Sequence, residues 1–354
     1  MDLDKPRTVI SCAILWLLSG AASLAQPPAA PDPDLERYAT PQVLADVGGG
    51  RKIHLFCMGS GRPTVILTAG LGSWSETWRN VQPAIARTTR VCAWDRPGFG
   101  YSSPSREPQD VRHTTADLET ALRAAHVGPP YVVVGHSLGG YESLMFSDRH
   151  RGQVSGMVLI DPSIPDQARI LAQNVGPESA AFNTANTSRM TSYFGGCEAG
   201  LRAGALTPAK DPNGCLAFPR DYPDSLRTAL ASRQMDPAKY ATIISLIQNV
   251  DADGVMVIDR RRNYGHMPMI VLIAGAVPTL PAEFHASQAA VDGFARYGAV
   301  ARREAYKQLA ALSDRGETRL VEGSPHAIQL ARPQAVIEAV EQVVAQARSE
   351  TRGQ

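Results

Sequence analysis

The chain has 354 residues, enough for one large α/β domain with an insertion or for two ordinary domains. With 35 basic and 34 acidic side chains the formal charge is +1, and 44% of residues are hydrophobic. That balance excludes nucleic-acid binding or charge-driven membrane binding as the organising function.

Lys5 and Arg7 precede an apolar run over residues 9–18, and small residues end at Ser23-Leu24-Ala25. The pattern is that of an export signal spanning residues 1–25, cleaved after Ala25. Its apolar part is short for a membrane-spanning helix, and the absence of a cysteine at the cleavage point argues against a lipoprotein. The expected location is therefore periplasmic or secreted. Residues 26–40, opening with QPPAAPDPD, read as a flexible lead-in. Export discards Cys12 and leaves Cys57, Cys92, Cys197 and Cys215, an even number in an oxidising compartment. Of the three pairings, Cys57–Cys92 joins strands expected to be neighbours, and Cys197–Cys215 would staple an irregular segment. No C-x-x-C or His/Cys cluster points to a metal, and no cofactor is expected.

Residues 52–57 (KIHLFC) alternate as a strand, and Gly59-Ser-Gly-Arg-Pro63 makes a turn. PTVILT (63–68) is a continuously apolar strand, as in a parallel sheet covered on both faces. It enters a Gly-rich loop, AGLGSW (69–74), before a helix over 78–86. RVCAWD (90–95) is another buried strand and leads into RPGFGYS (96–102); a helix follows over 114–125. YVVVGH (131–136) then runs into Ser137-Leu138-Gly139-Gly140 and a helical stretch over 141–149. GMVLID (156–161) is the next strand and ends in an acid. Strands alternating with helices predict a doubly wound, mostly parallel sheet.

From residue 162 to 266 no comparable strand occurs. Helical stretches fall at 178–193, 224–233 and 237–258, with an irregular piece over 195–219. About a hundred residues is too long for a connection inside a compact domain, so 162–266 reads as an inserted helical cap. Core strands resume with PMIVLIA (268–274), a helix over 301–312 and TRLV (318–321). The loop EGSPH (322–326) and an amphipathic helix over 333–347 follow, so the core divides into 41–161 and 267–347, with a tail at 348–354. Within the cap, Ile243, Ile244, Leu246 and Ile247 read as helix-packing core, and the Arg run at 260–262 reads as a solvated face.

The G-x-S-x-G string around Ser137 stands at a strand-to-helix junction, the setting in which a serine is strained and its hydroxyl exposed. The following helix N-terminus offers a backbone N–H to a developing oxyanion. A serine hydroxyl needs a base, and a base needs an orienting acid. His326, on the loop after the last strand, is the candidate base. His54 lies in a strand, His136 beside the serine, and His266 where the cap rejoins the sheet. His113, His126, His150 and His285 fall at helix ends or in loops.

Taken together, the loop after PTVILTAG, DRPGFGYS (95–102), GHSLGG (135–140) and the late His326 resemble the α/β-hydrolase superfamily over residues 53–347. The resemblance implies an eight-stranded, mostly parallel sheet with a helical cap after the sixth strand. It also implies an acid, and here the residues leave alternatives. Many relatives carry the acid after the seventh strand, but GAVPTLP (275–281) has no carboxylate. Asp161, at the end of the sixth strand, is the leading candidate; Glu283 and Asp292 are the others. Asp95 is read as organising the 96–100 turn. The oxyanion donors implied are the backbone N–H groups of Leu71 and Leu138, although Ala69-Gly70 stands where relatives commonly have His-Gly. The expected activity is hydrolysis of a small-molecule carboxylic ester through an acyl-enzyme on Ser137. An acyltransferase on the same residues and a silent binding protein are the alternatives. Serine at the elbow argues against dehalogenase and epoxide hydrolase chemistry, which use a carboxylate nucleophile in this fold.

Overall fold

The computed structural model describes residues 30–276 and 286–352. The export signal over 1–25, Glu283 and His285 lie outside them. Residues 26–40 were expected to be a flexible lead-in, and their second half is instead packed. Asp32 caps a 3-10 helix, Pro33–Tyr38, accepting from the Asp34 N–H at 2.9 Å and from Arg79 Nε at 2.8 Å. Leu35 and Tyr38 are buried beneath it, and that apolar pair holds the segment against the body.

The elements run in the following order. β1 (Val43–Gly48), β2 (Arg51–Met58) and β3 (Thr64–Thr68) come first. α1 (Gln82–Ile85), β4 (Val91–Trp94), α2 (Val111–Ala124), β5 (Tyr131–His136), α3 (Gly139–Arg149) and β6 (Val154–Ile160) follow. Four helices then intervene: α4 (Gln167–Val175), α5 (Pro177–Arg202), α6 (Asp224–Gln234) and α7 (Pro237–Met256). The chain closes with β7 (Met269–Ala274), α8 (Gln288–Arg296), α9 (Arg302–Ala310), β8 (Gly316–Val321), α10 (Ile328–Ala331) and α11 (Pro333–Arg352). A π-helical turn, Tyr297–Ala301, joins α8 to α9.

The eight strands form one sheet in the order β1-β2-β4-β3-β5-β6-β7-β8, antiparallel at β1/β2 and β2/β4 and parallel elsewhere. β3, β5 and β7 are buried along their whole length, which accounts for their unbroken apolar sequence. Successive residues serve opposite faces. Ile66, Val133, Leu159 and Val271 pack with α2, α3 and α9; Val65, Val134, Val158 and Leu272 pack with α1 and α11.

The four helices between β6 and β7 form the cap, and α8, after β7, packs on α5. Several local expectations shift. β1 escaped the sequence reading because, at the sheet edge, only Ala45 is buried and no apolar run marks it. α5 continues to Arg202, so the irregular piece is shorter than 195–219. The helix over 78–86 divides into a 3-10 turn, Ser75–Trp78, and the short α1. The 348–354 tail is helical as far as Arg352, and Arg348 donates to the Arg62 and Thr88 carbonyls. Arg260 and Arg261 are exposed, but Arg262 is not solvated: it is buried against Asp148 at 2.7 Å and the Val257 carbonyl at 2.8 Å.

Both favoured disulfides are formed. Cys57 and Cys92 are register partners on antiparallel β2 and β4, and Cys197–Cys215 ties α5 to the loop before α6. Among the described residues no helix is long and apolar enough to cross a membrane.

Candidate active site

Ser137 sits between β5 and α3 with φ at +51°, a left-handed backbone that a non-glycine residue adopts at a cost. The surroundings enforce it. The Ser137 N–H donates to the Ile160 carbonyl at 3.1 Å, and its own carbonyl accepts from the Gly140 and Ser163 N–H groups at 2.9 and 2.8 Å. A Cβ on Gly135 would lie 2.4 Å from the Gly139 carbonyl oxygen, so the strand and helix approach more closely than any larger residue allows.

The loop after β3 closes on the same point. A Cβ on Gly70 would lie 3.2 Å from Ser137 Cβ and 2.8 Å from His136 Nδ1. Among the described residues, neither the Leu71 nor the Leu138 backbone N–H donates to a protein acceptor. Arg96 holds this loop. Its Nε and Nη2 donate to both Glu142 carboxylate oxygens at 2.6 and 2.8 Å, and its Nη1 donates to the Gly70 carbonyl at 3.1 Å. Glu142 lies on α3, so one buried ion pair couples the loop to the helix that follows Ser137.

Asp161 directly follows β6, with φ at +39° and a fully buried carboxylate. Its Oδ2 is 2.6 Å from His326 Nδ1 and accepts from Arg302 Nη1 at 3.0 Å. Its Oδ1 accepts from the Ala274 N–H at 3.2 Å. Tyr306 Oη is also 3.3 Å from Oδ1, but its better acceptor is the Pro162 carbonyl at 2.9 Å. Burial alone would raise the Asp161 pKa, but the Arg302 charge and then the His326 hydrogen bond hold it down at about 2. The carboxylate is thus ionised at neutral pH and fixed on the His326 ring.

His136 packs against that ring, with ring centroids 4.7 Å apart. Its Nδ1 accepts from Gln329 Nε2 at 3.3 Å and its Nε2 donates to the His326 carbonyl at 3.2 Å, together the neutral tautomer protonated at Nε2. Burial and the neighbouring His326 push the His136 pKa down to about 3. His136 therefore braces the His326 ring without carrying charge.

Of the other candidates, Asp292 is exposed and accepts from Gln288, and His266 is a surface residue beside Asp314. Asp95 is a buried hub that accepts from His54 Nδ1 at 2.7 Å, from the Ser75 N–H and hydroxyl, and from the Tyr101 N–H. Arg302 went unnoticed in sequence because it lies in a charged helix with nothing to mark it. Arg96 and Glu142 were equally silent, being ordinary polar positions until the fold joins them.

Residues 63–180 match the family described as alpha/beta hydrolase fold. Among curated relatives, the uncharacterized protein YqjL of Bacillus subtilis is 36% identical over 110 residues, 31% of this chain and 44% of YqjL. The soluble epoxide hydrolase of a Corynebacterium strain is 34% identical over 113 residues, 32% of this chain and 38% of the relative. The matches thus span less than half the length of these relatives. A thermophilic esterase from Thermogutta terrifontis superposes with a TM-score of 0.52 at 16% identity, covering 86% of this chain and 97% of the esterase. That likeness is one of fold.

Proposed function

We propose that this member of the α/β-hydrolase superfamily is an exported serine hydrolase that cleaves a carboxylic ester through an acyl-enzyme on Ser137. The observation that carries the reading is the 2.6 Å contact between Asp161 and His326, made beside the strained elbow that presents Ser137. In the proposed reaction His326 takes the Ser137 proton as Oγ attacks the acyl carbon, and Asp161 orients the ring and stabilises the imidazolium. The Leu71 and Leu138 N–H groups receive the oxyanion. His326 then returns the proton to the leaving alcohol, and water, activated by the same base, releases the acid. Although epoxide hydrolases occur among the relatives, the elbow residue here is serine rather than a carboxylate, which favours acyl transfer.

Hydrolysis of p-nitrophenyl esters from acetyl to dodecanoyl by the mature protein and by Ser137→Ala tests the proposal. Turnover that vanishes in the variant supports it. Equal inertness of both proteins, with no labelling by a serine-directed phosphonate, would overturn it.

A further inference from the structure

A cavity of about 390 Å³ lies between the loops after β3 and β4 and the cap. Its walls are largely apolar, including Phe99, Met190, Ile243 and Ile247, the last two of which also pack in the core as expected. Leu71, the candidate oxyanion donor, also lines it, so the cavity shares a wall with the loop whose Gly70 closes on Ser137.

Two cations line the same space from either side of the turn between α6 and α7. Arg233 belongs to the last turn of α6 and Lys239 to the first turn of α7. Among the described residues neither is paired with a carboxylate. Arg233 donates to the Ser102 carbonyl at 3.2 Å and lies 5.8 Å from the Tyr101 ring centre. Lys239 donates to the Gln234 side-chain carbonyl and lies 5.6 Å from the Tyr240 ring centre. Glu76, the one carboxylate among the described lining residues, is taken by Arg79 at 2.8 Å. Elsewhere the protein pairs its buried cations, as Arg96–Glu142, Arg262–Asp148 and Arg302–Asp161 show.

Two partly buried cations in the lining of one largely apolar cavity, neither in ion-pair contact and only Arg233 within longer reach of carboxylates (Asp95 and Asp236), are costly unless a ligand supplies further charge. We infer that Lys239 and Arg233 bind a carboxylate on the substrate, so that the preferred esters carry an anionic group separated from the scissile bond by an apolar spacer. Burial holds the Lys239 pKa down to about 8, the condition of an ammonium that an incoming anion would relieve. A carboxylate matches the forked guanidinium and the point charge together, and the apolar walls take the spacer. The inference rests on the serine hydrolase reading, and its test separates the two.

The test compares p-nitrophenyl half-esters of glutaric, adipic and suberic acid with the same esters capped as methyl esters at the far carboxyl. The wild type is expected to favour the free acid over its capped partner by about tenfold or more in kcat/KM at one spacer length. Lys239→Met and Arg233→Met should each cut that ratio by about tenfold, mainly through KM, since one charge-assisted contact is lost. Lys239→Gln keeps a polar, hydrogen-bonding side chain one atom shorter, guards against misfolding, and should lose the preference equally. Arg261→Met, an exposed change outside the cavity, should leave the ratio unaltered. A wild-type ratio near unity at every spacer would overturn the inference while leaving the esterase reading intact. If no ester is turned over, calorimetric binding of suberate decides. Binding that Lys239→Met abolishes sustains the anion site, and absence of binding rejects it.

Discussion

Asp161 Oδ2 lies 2.6 Å from His326 Nδ1 although 165 residues separate the two in the chain. The contact exists because β6, β7 and β8 are parallel neighbours. Asp161 follows β6, His326 follows β8, and the Ala274 N–H at the end of β7 steadies the acid between them. Asp161→Asn should lower kcat on p-nitrophenyl acetate by about 10⁴-fold, as expected when the base loses the acid that sets its tautomer. Asp292→Asn, on the exposed face of α8, should leave kcat unchanged. The reverse pattern would move the acid to the segment after β7.

Arg302 shares Asp161 Oδ2 with His326 and is itself buried. Arg302→Met leaves the carboxylate without its cation and should cost about 3–5 kcal/mol in urea-induced unfolding at pH 7. A cost below about 1 kcal/mol would mean that His326 and the Ala274 N–H compensate the Asp161 charge without Arg302.

His136 is neutral in the fold, with its pKa at about 3 against an ordinary 6.5. Below pH 6.5 the unfolded chain binds a proton that the folded chain refuses, so stability falls as pH falls, by about 1.4 kcal/mol per unit from this residue. Asp161 has the depressed-carboxylate pattern: its contribution is complete above about pH 4 and is lost as pH falls from there towards 2. Between pH 6 and 4.5 Glu76 and Asp253, whose carboxyls burial raises to about 7 and about 8, act in the opposite direction, so His136 is read by difference: His136→Asn should change the pH slope of the urea midpoints by about 1.4 kcal/mol per unit, towards greater stability at the acid end. An unchanged slope would show that other groups carry the acid sensitivity.

Arg96→Lys keeps the charge but gives up the fork that grips both Glu142 oxygens and the donor to the Gly70 carbonyl. Loosening the Gly70-Leu71 loop should reduce kcat by about 10²-fold, the scale of one lost oxyanion donor, with a smaller change in KM. If KM rises while kcat is kept, the pair supports binding rather than the oxyanion.

The disulfides close loops with sequence separations of 35 and 18 residues. Chain entropy predicts losses of about 4 and 3 kcal/mol for Cys57→Ala/Cys92→Ala and Cys197→Ala/Cys215→Ala, measured by urea unfolding. The cap pair should also change ester chain-length preference, because α5 and the loop it fastens carry Met190 and Phe218 of the cavity wall. The strand pair should leave that preference alone.

Local chemistry is what the sequence alone determined. A continuous apolar strand, two glycines two residues either side of a serine, and a helix start specify an elbow without help from distant residues. The same holds for the alternation of buried strands and helices, and for the Cys57–Cys92 pair once strand order is foreseen. Only the tertiary structure decided which groups meet across long separations. It selected Arg302 as the counter-charge of Asp161, set Arg96 and Glu142 under the Gly70-Leu71 loop, and put Lys239 and Arg233 in the lining of one largely apolar cavity. An arginine on an amphipathic helix has the same local signature whether it faces water or a buried carboxylate. Its partner is set by sheet order and cap packing, and so by burial and distance rather than by sequence spacing.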